Sequence, residues 1–343
     1  MKHLARNKPF DVAGKSRAAL SNPGLQKNLD NATATALIKR RAAVSASATF
    51  ESSRDRARAV REFSIPRLAK LLAGFLEKCA ASGIQVDVFE EYEDANRRVL
   101  EIAKKEGADF LVKSKSMLTE ETGLNHYLEK NSVTPVETDL GEFIVQLCGE
   151  APSHITAPAL HKSRFDVAKL FAEKLGTPYT EDVGELTMQA RRHLREKFLT
   201  SRVGLTGANF AIADSGEVAI VENEGNARMC ATLPNVHIAV FGVEKLIPSI
   251  SDLPFFLDIL SKSATGQRMN AYTSVLGPPA AGKRRHYIIV TKNRFKIASD
   301  PVFREVLRCV RCGACQNVCP VFRRISGHGY GFVYGGPIGV MLA

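Results

Sequence analysis

The 343-residue chain has no tryptophan and only 7% aromatic residues. Its basic segments therefore offer few rings on which bases could stack, and no nucleic-acid partner is expected. No apolar run approaches the ~20 residues that cross a bilayer. The candidates are short, such as Ile288 to Val290 and Val236 to Val243, so no transmembrane segment is expected and any membrane contact would be peripheral. The first residues are basic and polar with no apolar h-region, which argues against a signal peptide and points to the cytoplasm. No flavin or nicotinamide motif occurs. Redox chemistry at carbon, if the chain takes part in any, would then depend on partner subunits. Acidic residues are outnumbered, 36 against 47 Lys and Arg, for a formal net charge of +11.

What is present is concentrated near one end. Cys309, Cys312, Cys315 and Cys319, followed by Pro320, form the run C-x-x-C-x-x-C-x-x-x-C-P. Thiolates are the soft ligands that iron-sulfur clusters need, and the two-residue spacings suit three ligands of one 4Fe-4S cube. In two-cluster ferredoxins the fourth cysteine of such a run serves the other cluster. One or two 4Fe-4S clusters are therefore expected, with Cys309, Cys312 and Cys315 on the first and Cys319 on the second. Structural zinc sites pair two knuckles across a longer spacer, a poor match to one compact run. Disulfides would need the oxidising compartment that the N-terminus does not imply. Cys79, Cys148 and Cys230 are scattered and read as free thiols.

The positive charge lies at the two ends. Residues 1 to 62 carry 13 basic and 5 acidic side chains, and residues 283 to 343 carry 11 and 2, so the middle is net acidic. Around the cysteine run a basic surrounding stabilises an anionic cluster. Residues 1 to about 45 read as a loosely packed helical lead-in that docks on a partner or on the main domain, with Ala42 to Ala48 as a hinge or frayed helix. Val60, Phe63, Leu68, Leu71, Leu72 and Phe75 recur at helical spacing across Pro66, predicting two helices that meet there. From Ser82 to about Asn293 short apolar runs alternate with amphipathic segments, the pattern of an α/β domain with an open sheet. Strands are predicted at Ile84 to Phe89, Asp109 to Val112, Val236 to Val243 and His286 to Val290. Asn209 to Ala213 and Val218 to Val221 predict a hairpin about Asp214-Ser215-Gly216. Helices are predicted at Tyr92 to Lys105, Phe165 to Leu175, Asp182 to Leu199 and Leu253 to Ser261. The expected domains are a basic lead-in (1–60), an α/β domain (61–296) and a small cluster module (297–343).

Three polar patches fall where strands should end, the place where open α/β sheets bind ligands. Lys113 and Lys115, with Ser114 and Ser116, could hold a carboxylate or phosphate, or could form a solvated loop. Gly204 to Asn209 offers backbone access with Thr206 and Asn209 as hydrogen-bonding groups, or is a structural turn. Glu222, Glu224 and Asn226 could do acid-base work, or form a capped turn. His154, His161 and His237 lie near these segments without a base-nucleophile spacing and read as packing or surface residues.

Several motifs occur together: V-K-S-K-S-M (Val112 to Met117), E-T-D-L-G-E (Glu137 to Glu142), P-S-H-I (Pro152 to Ile155), G-A-N-F-A-I-A-D-S-G (Gly207 to Gly216), E-N-E-G-N (Glu222 to Asn226), L-P-x-V-H-I-A-V (Leu233 to Val240) and R-C-G-A-C-x-N-V-C-P (Arg311 to Pro320). In this order they resemble lactate-utilisation protein B, a family that joins a LUD domain to a ferredoxin-type module. The resemblance runs from about residue 50 onward. It implies a LUD domain similar in fold to ribose-phosphate isomerases and CoA-transferases. It also implies an iron-sulfur electron-transfer subunit of a complex oxidising L-lactate to pyruvate, with other subunits of that complex as partners and an unspecified electron acceptor. Cys309, Cys312, Cys315 and Cys319 match the family's first cysteine run. The family's Asn-Gly-Arg near the last strand is Lys292-Asn293-Arg294 here. Members continue past the segment matching Gly335 to Gly339 into a second cysteine run, so a C-terminal truncation is expected. A different class of function is an α/β metabolic enzyme acting on a phosphate or carboxylate, its cluster structural.

Overall fold

The computed structural model describes residues 10–342; residues 1–9 of the expected lead-in and Ala343 lie outside the described residues. Among the described residues, ten strands form two sheets. They are β1 (Gln85–Phe89), β2 (Phe110–Lys113), β3 (Thr134–Glu137), β4 (Val203–Thr206), β5 (Phe210–Ile212), β6 (Glu217–Glu222), β7 (Val236–Gly242), β8 (Leu246–Ile247), β9 (Tyr272–Leu276) and β10 (Arg284–Val290).

The larger sheet is wholly parallel, in the order β1-β10-β7-β4-β2-β3. Its central strands are continuous apolar runs because helices cover both faces. Along β7 and β10 the side chains alternate between two cores. Ile238, Val240, Ile288 and Val290 pack with Val99, Leu111 and Val203, while Ala239, Phe241, Tyr287 and Ile289 pack with Phe75 and Leu72. The second core also takes Leu307, Ile338 and Leu342, so the cysteine-bearing segment shares apolar packing with the α/β domain.

The helices are closed by local chemistry. Tyr92–Lys105 carries Glu93 and Asp94 in its first turn and Lys104 and Lys105 in its last, each sign at the favourable end of the helix dipole. Arg164–Leu175 begins with a Ser163/Asp166 capping box and ends at Gly176. Helices Phe50–Ser64 and Leu68–Ala81 flank a short 3₁₀ turn holding Pro66, as the pattern predicts.

Three expectations need correction. The predicted hairpin forms as β5 and β6, but β8 and β9 join it in a separate four-stranded sheet, β8-β5-β6-β9. Gly204 to Thr206 belongs to β4 rather than to a loop. Of the stretch Ala42 to Ala48, residues 42–45 continue the helix Pro23–Ser45, and only residues 46–48 leave it, in the turn before the helix Phe50–Ser64. The helix Pro23–Ser45 is docked rather than loose. Leu29 and Thr33 are fully buried, and Gln26 Nε2 donates to the Arg324 carbonyl at 2.7 Å.

Candidate iron-sulfur centre and adjoining cavity

A 3₁₀ turn, Phe303–Arg308, delivers Cys309. Arg311 (φ +62) and Gly313 (φ +74) then curl the chain between the first three cysteines, and the short helix Ala314–Val318 carries Cys315 and leads to Cys319. All four thiols are free. The Arg311 amide donates to Cys309 Sγ at 3.4 Å, and the Phe322 amide to Cys319 Sγ at 3.5 Å. Cys319 Sγ lies 3.1 Å from the Tyr330 hydroxyl. Burial acts to raise the Cys319 thiol, but the Tyr330 hydroxyl and nearby backbone amides outweigh it and lower its pKa. Gly336 (φ +72) approaches so closely that a Cβ there would lie 2.6 Å from Cys315 Sγ. Soft donors, amides turned toward sulfur and a glycine leaving room beside Cys315 fit an iron-sulfur cluster.

A buried charge network ties this segment to the α/β domain. Arg311 Nη2 pairs with Glu244 Oε1 at 3.0 Å, and Arg294 Nε with Glu244 Oε2 at 3.3 Å. Arg294 Nη2 reaches both Glu121 oxygens at 2.8 Å, and the Tyr334 hydroxyl donates to Glu121 Oε2 at 2.8 Å. Arg61 Nη1 donates to the Glu244 carbonyl at 2.6 Å. Burial opposes ionisation of Glu244, yet Arg294 and Arg311 prevail and hold its pKa down at about 2. Asn293 adopts φ +60, a left-handed conformation that asparagine tolerates, and so presents Arg294 to the network.

Beside the network, past the carboxyl ends of β2, β4 and β7, lies a cavity of about 290 Å³. Lys115, Asn209, Glu222, Glu224 and Asn226 line it. Lys115 Nζ donates to the Thr156 carbonyl at 3.1 Å. Asn209 Oδ1 accepts from the Val221 amide at 2.9 Å. Glu222 accepts from the Ala227 and Arg228 amides at 2.7 and 2.8 Å, so the capped turn is real and its cap is the carboxylate. Asn226 Nδ2 donates to Thr138 Oγ1 at 3.3 Å. Glu224 accepts from the Leu140 amide at 3.0 Å, and burial, with Asp139 nearby, pushes its pKa up to about 7.

The other two candidates lie elsewhere. Lys113 is fully buried against Glu137 and Glu120, and Thr206 Oγ1 is 2.9 Å from His237 Nε2 in the interior. His154 is buried against Phe322, with ring centroids 5.4 Å apart, and His161 contacts Glu150 and Ser153.

Residues 72–298 match the LUD domain family. The chain belongs to it. Residues 305–343 match a 4Fe-4S dicluster domain, which makes a 4Fe-4S cluster the cofactor of this LUD-domain protein. Among curated relatives, an uncharacterized electron transport protein of Escherichia coli, YkgF, is 40% identical over 97% of this chain and 71% of its own length. Lactate utilization protein B of Bacillus cytotoxicus is 40% identical over 86% of this chain, which spans 63% of that relative's length. Lactate utilization protein B 2 of Bacillus mycoides is likewise 40% identical, over 85% of this chain and 63% of its own length. A crystal structure of a DUF162 family protein from Deinococcus radiodurans aligns with 65% of the chain and 98% of its own, at 13% identity and a TM-score of 0.34, a likeness too distant to carry an argument. Among the described residues no helix of this LUD-domain protein is long and apolar enough to cross a membrane.

Sequence reasoning missed Glu244, Lys245, Arg311 and Tyr334, which also line the cavity. Glu244 and Lys245 were legible only as charges directly after the apolar strand β7. Arg311 lay within the cysteine motif and Tyr334 within a glycine-rich tail, and nothing local pointed either toward a cavity.

Proposed function

We propose that this LUD-domain protein is an iron-sulfur electron-transfer subunit in the oxidation of L-lactate to pyruvate. It would work with other subunits of a lactate-utilisation complex in the cytoplasm, with any membrane contact peripheral. In this reading Cys309, Cys312 and Cys315 hold one 4Fe-4S cluster, and Cys319 contributes to a second. The observation that carries it is the cysteine run with amides turned toward Cys309 and Cys319 and with Gly336 leaving room beside Cys315. The printed names of the relatives, electron transport in one and lactate utilization in others, support the same reading. When bound, a 4Fe-4S cluster relays single electrons. The chain's own part is to present the thiolates, direct the Arg311 and Phe322 amides at sulfur, and bury the inner side of the site against the α/β core. After anaerobic reconstitution the chain is expected to be brown, to bleach with dithionite, and to lose that colour in Cys312→Ala. A wild-type chain that stays colourless under those conditions would sink the proposal.

A further inference from the structure

We propose that the cavity beyond β2, β4 and β7 binds a small monocarboxylate, anchored by Lys245 and closed on one side by Arg311 and Tyr334 of the cluster-bearing segment. The inference rests on the electron-transfer reading for its place in the reaction and on the cavity alone for its chemistry.

Size is the first constraint. At about 290 Å³ the space lies at the lower edge of small-molecule sites, which run from ~300 to ~1,000 Å³. It suits a short metabolite and is too small for a dinucleotide.

Charge is the second. Lys245 lines the cavity, yet no described residue makes a hydrogen bond or ion pair with its ammonium. The adjacent carboxylate, Glu244, is already shared by Arg294 and Arg311. Burial and the neighbouring positive charges of Arg311 and Arg61 lower the Lys245 pKa to about 7, against the pull of Glu244. A half-buried cation without a partner is unfavourable, and an anion entering the cavity would relieve it. The other cations are engaged: Lys115 with the Thr156 carbonyl and, at 4.0 Å, Asp139, and Arg311 with Glu244. One negative charge is therefore accommodated. A phosphate dianion would bring a second into a cavity already lined by the carboxylates of Asp139 and Glu222.

The remaining lining describes the rest of the ligand. Ile155, Ile220, Phe241 and Leu260 provide apolar wall, and Glu224, whose pKa burial pushes up to about 7, is protonated in part of the molecules at neutral pH and can then donate to a hydroxyl or keto oxygen. A short 2-hydroxy or 2-oxo acid meets these demands. The site also communicates with the cysteine run. Arg311 lines the same cavity as Lys245 while its amide holds Cys309 Sγ. A carboxylate on Lys245 offsets positive charge beside the cluster, so binding and cluster reduction disfavour each other, and by linkage each reports the other.

The test uses the full chain, reconstituted anaerobically, with radiolabelled L-lactate, pyruvate and inorganic phosphate in equilibrium dialysis. Saturable binding of one of the acids, without competition from phosphate, is expected. Lys245→Met should weaken it by roughly ten- to a hundredfold, the loss that accompanies one charge-assisted contact, and Lys245→Arg should restore part. Ala264→Phe, which fills the cavity from the helix Leu253–Thr265, should abolish binding while the cluster absorbance persists. Ligand should lower the cluster's midpoint potential in the wild type and leave it unmoved in Lys245→Met. Failure of the wild type to bind either acid, undiminished binding in Lys245→Met or Ala264→Phe, or tighter binding of phosphate would each overturn the site. If neither acid binds and Lys245→Met nonetheless shifts the potential, Lys245 serves the cluster alone. A brown, dithionite-bleachable chain that binds no acid defeats the site and spares the electron-transfer reading; a colourless chain that binds one does the reverse.

Discussion

Lys113 carries its charge with no exposure to solvent, its ammonium 2.5 Å from Glu137 Oε1 and 3.7 Å from Glu120 Oε1. One buried cation faces three carboxylates, because Glu142 is close enough for its charge to be felt. Burial and mutual repulsion therefore lift Glu120 to about 7 and Glu142 well above its ordinary value, against the pull of Lys113. The sign follows from linkage: a group with a higher pKa folded than unfolded leaves the native state holding more protons. Its contribution to stability is complete below the ordinary value of 4.5 and is lost as pH rises through about 7. Glu244 runs the other way, contributing above 4.5 and losing that contribution as pH falls toward about 2. Glu120→Gln should thus flatten the decline in urea midpoint between roughly pH 5 and 8. An unchanged profile would mean that Glu120 is ionised throughout. Lys113 was read as a ligand residue because the strand before it was expected to end at Val112. The strand runs one residue further and takes Lys113 into the buried sheet, so of the two lysines only Lys115 reaches the cavity.

The helix Gly336–Leu342 opens on a residue with φ +72 whose missing side chain leaves room for Cys315 Sγ. Gly336→Ala adds left-handed strain and a carbon 2.6 Å from that sulfur, so both backbone and thiolate must shift. Iron bound per chain should fall and cluster loss under oxygen should quicken, with the far-UV spectrum retained; wild-type iron content would refute this role. Elements differ in how far local sequence betrays them. The central strands β7 and β10 were visible as apolar runs because both faces are covered. The edge strand β3 contains Pro135 and only four residues, and β4 contains Gly204, so breaker residues disguised both. Membership of β5 and β6 in a second sheet depends on pairing with β8 and β9, a long-range choice that periodicity does not encode. The cysteine spacing was legible outright, since ligand chemistry there is local. The cavity was half legible: its polar lining follows strand ends, but the wall from Arg311 and Tyr334 arrives from about 70 residues or more beyond β7 in the chain.

At the scale of the whole molecule, the cysteine-bearing segment is joined to the α/β domain by apolar packing and by ion pairs at once. Leu307, Ile338 and Leu342 complete the core around Phe75 and Phe241, while Arg311 and Tyr334 reach Glu244 and Glu121 in the interior. The helix Pro23–Ser45 clamps the outer side, with Asp30 near Arg323 and Arg324 at 3.5 and 3.3 Å; these exposed pairs add little, and the buried Leu29 is the stronger anchor. Bonds of the first kind are broken only by exposing apolar surface, and those of the second leave buried charges unpaired, so loosening one region is costly to the other. Stripping the cluster with a chelator should therefore speed amide exchange in residues 309–319 and also in two segments distant in sequence. These are the turn Val243–Lys245, held by Arg311 and Arg61, and the helix Met117–Thr122, held by Tyr334 and Arg294. Exchange measured by mass spectrometry before and after chelation distinguishes the cases. Acceleration confined to residues 305–342 would show two regions that open independently, whereas acceleration in all three segments would show that cluster occupancy stabilises the cavity wall.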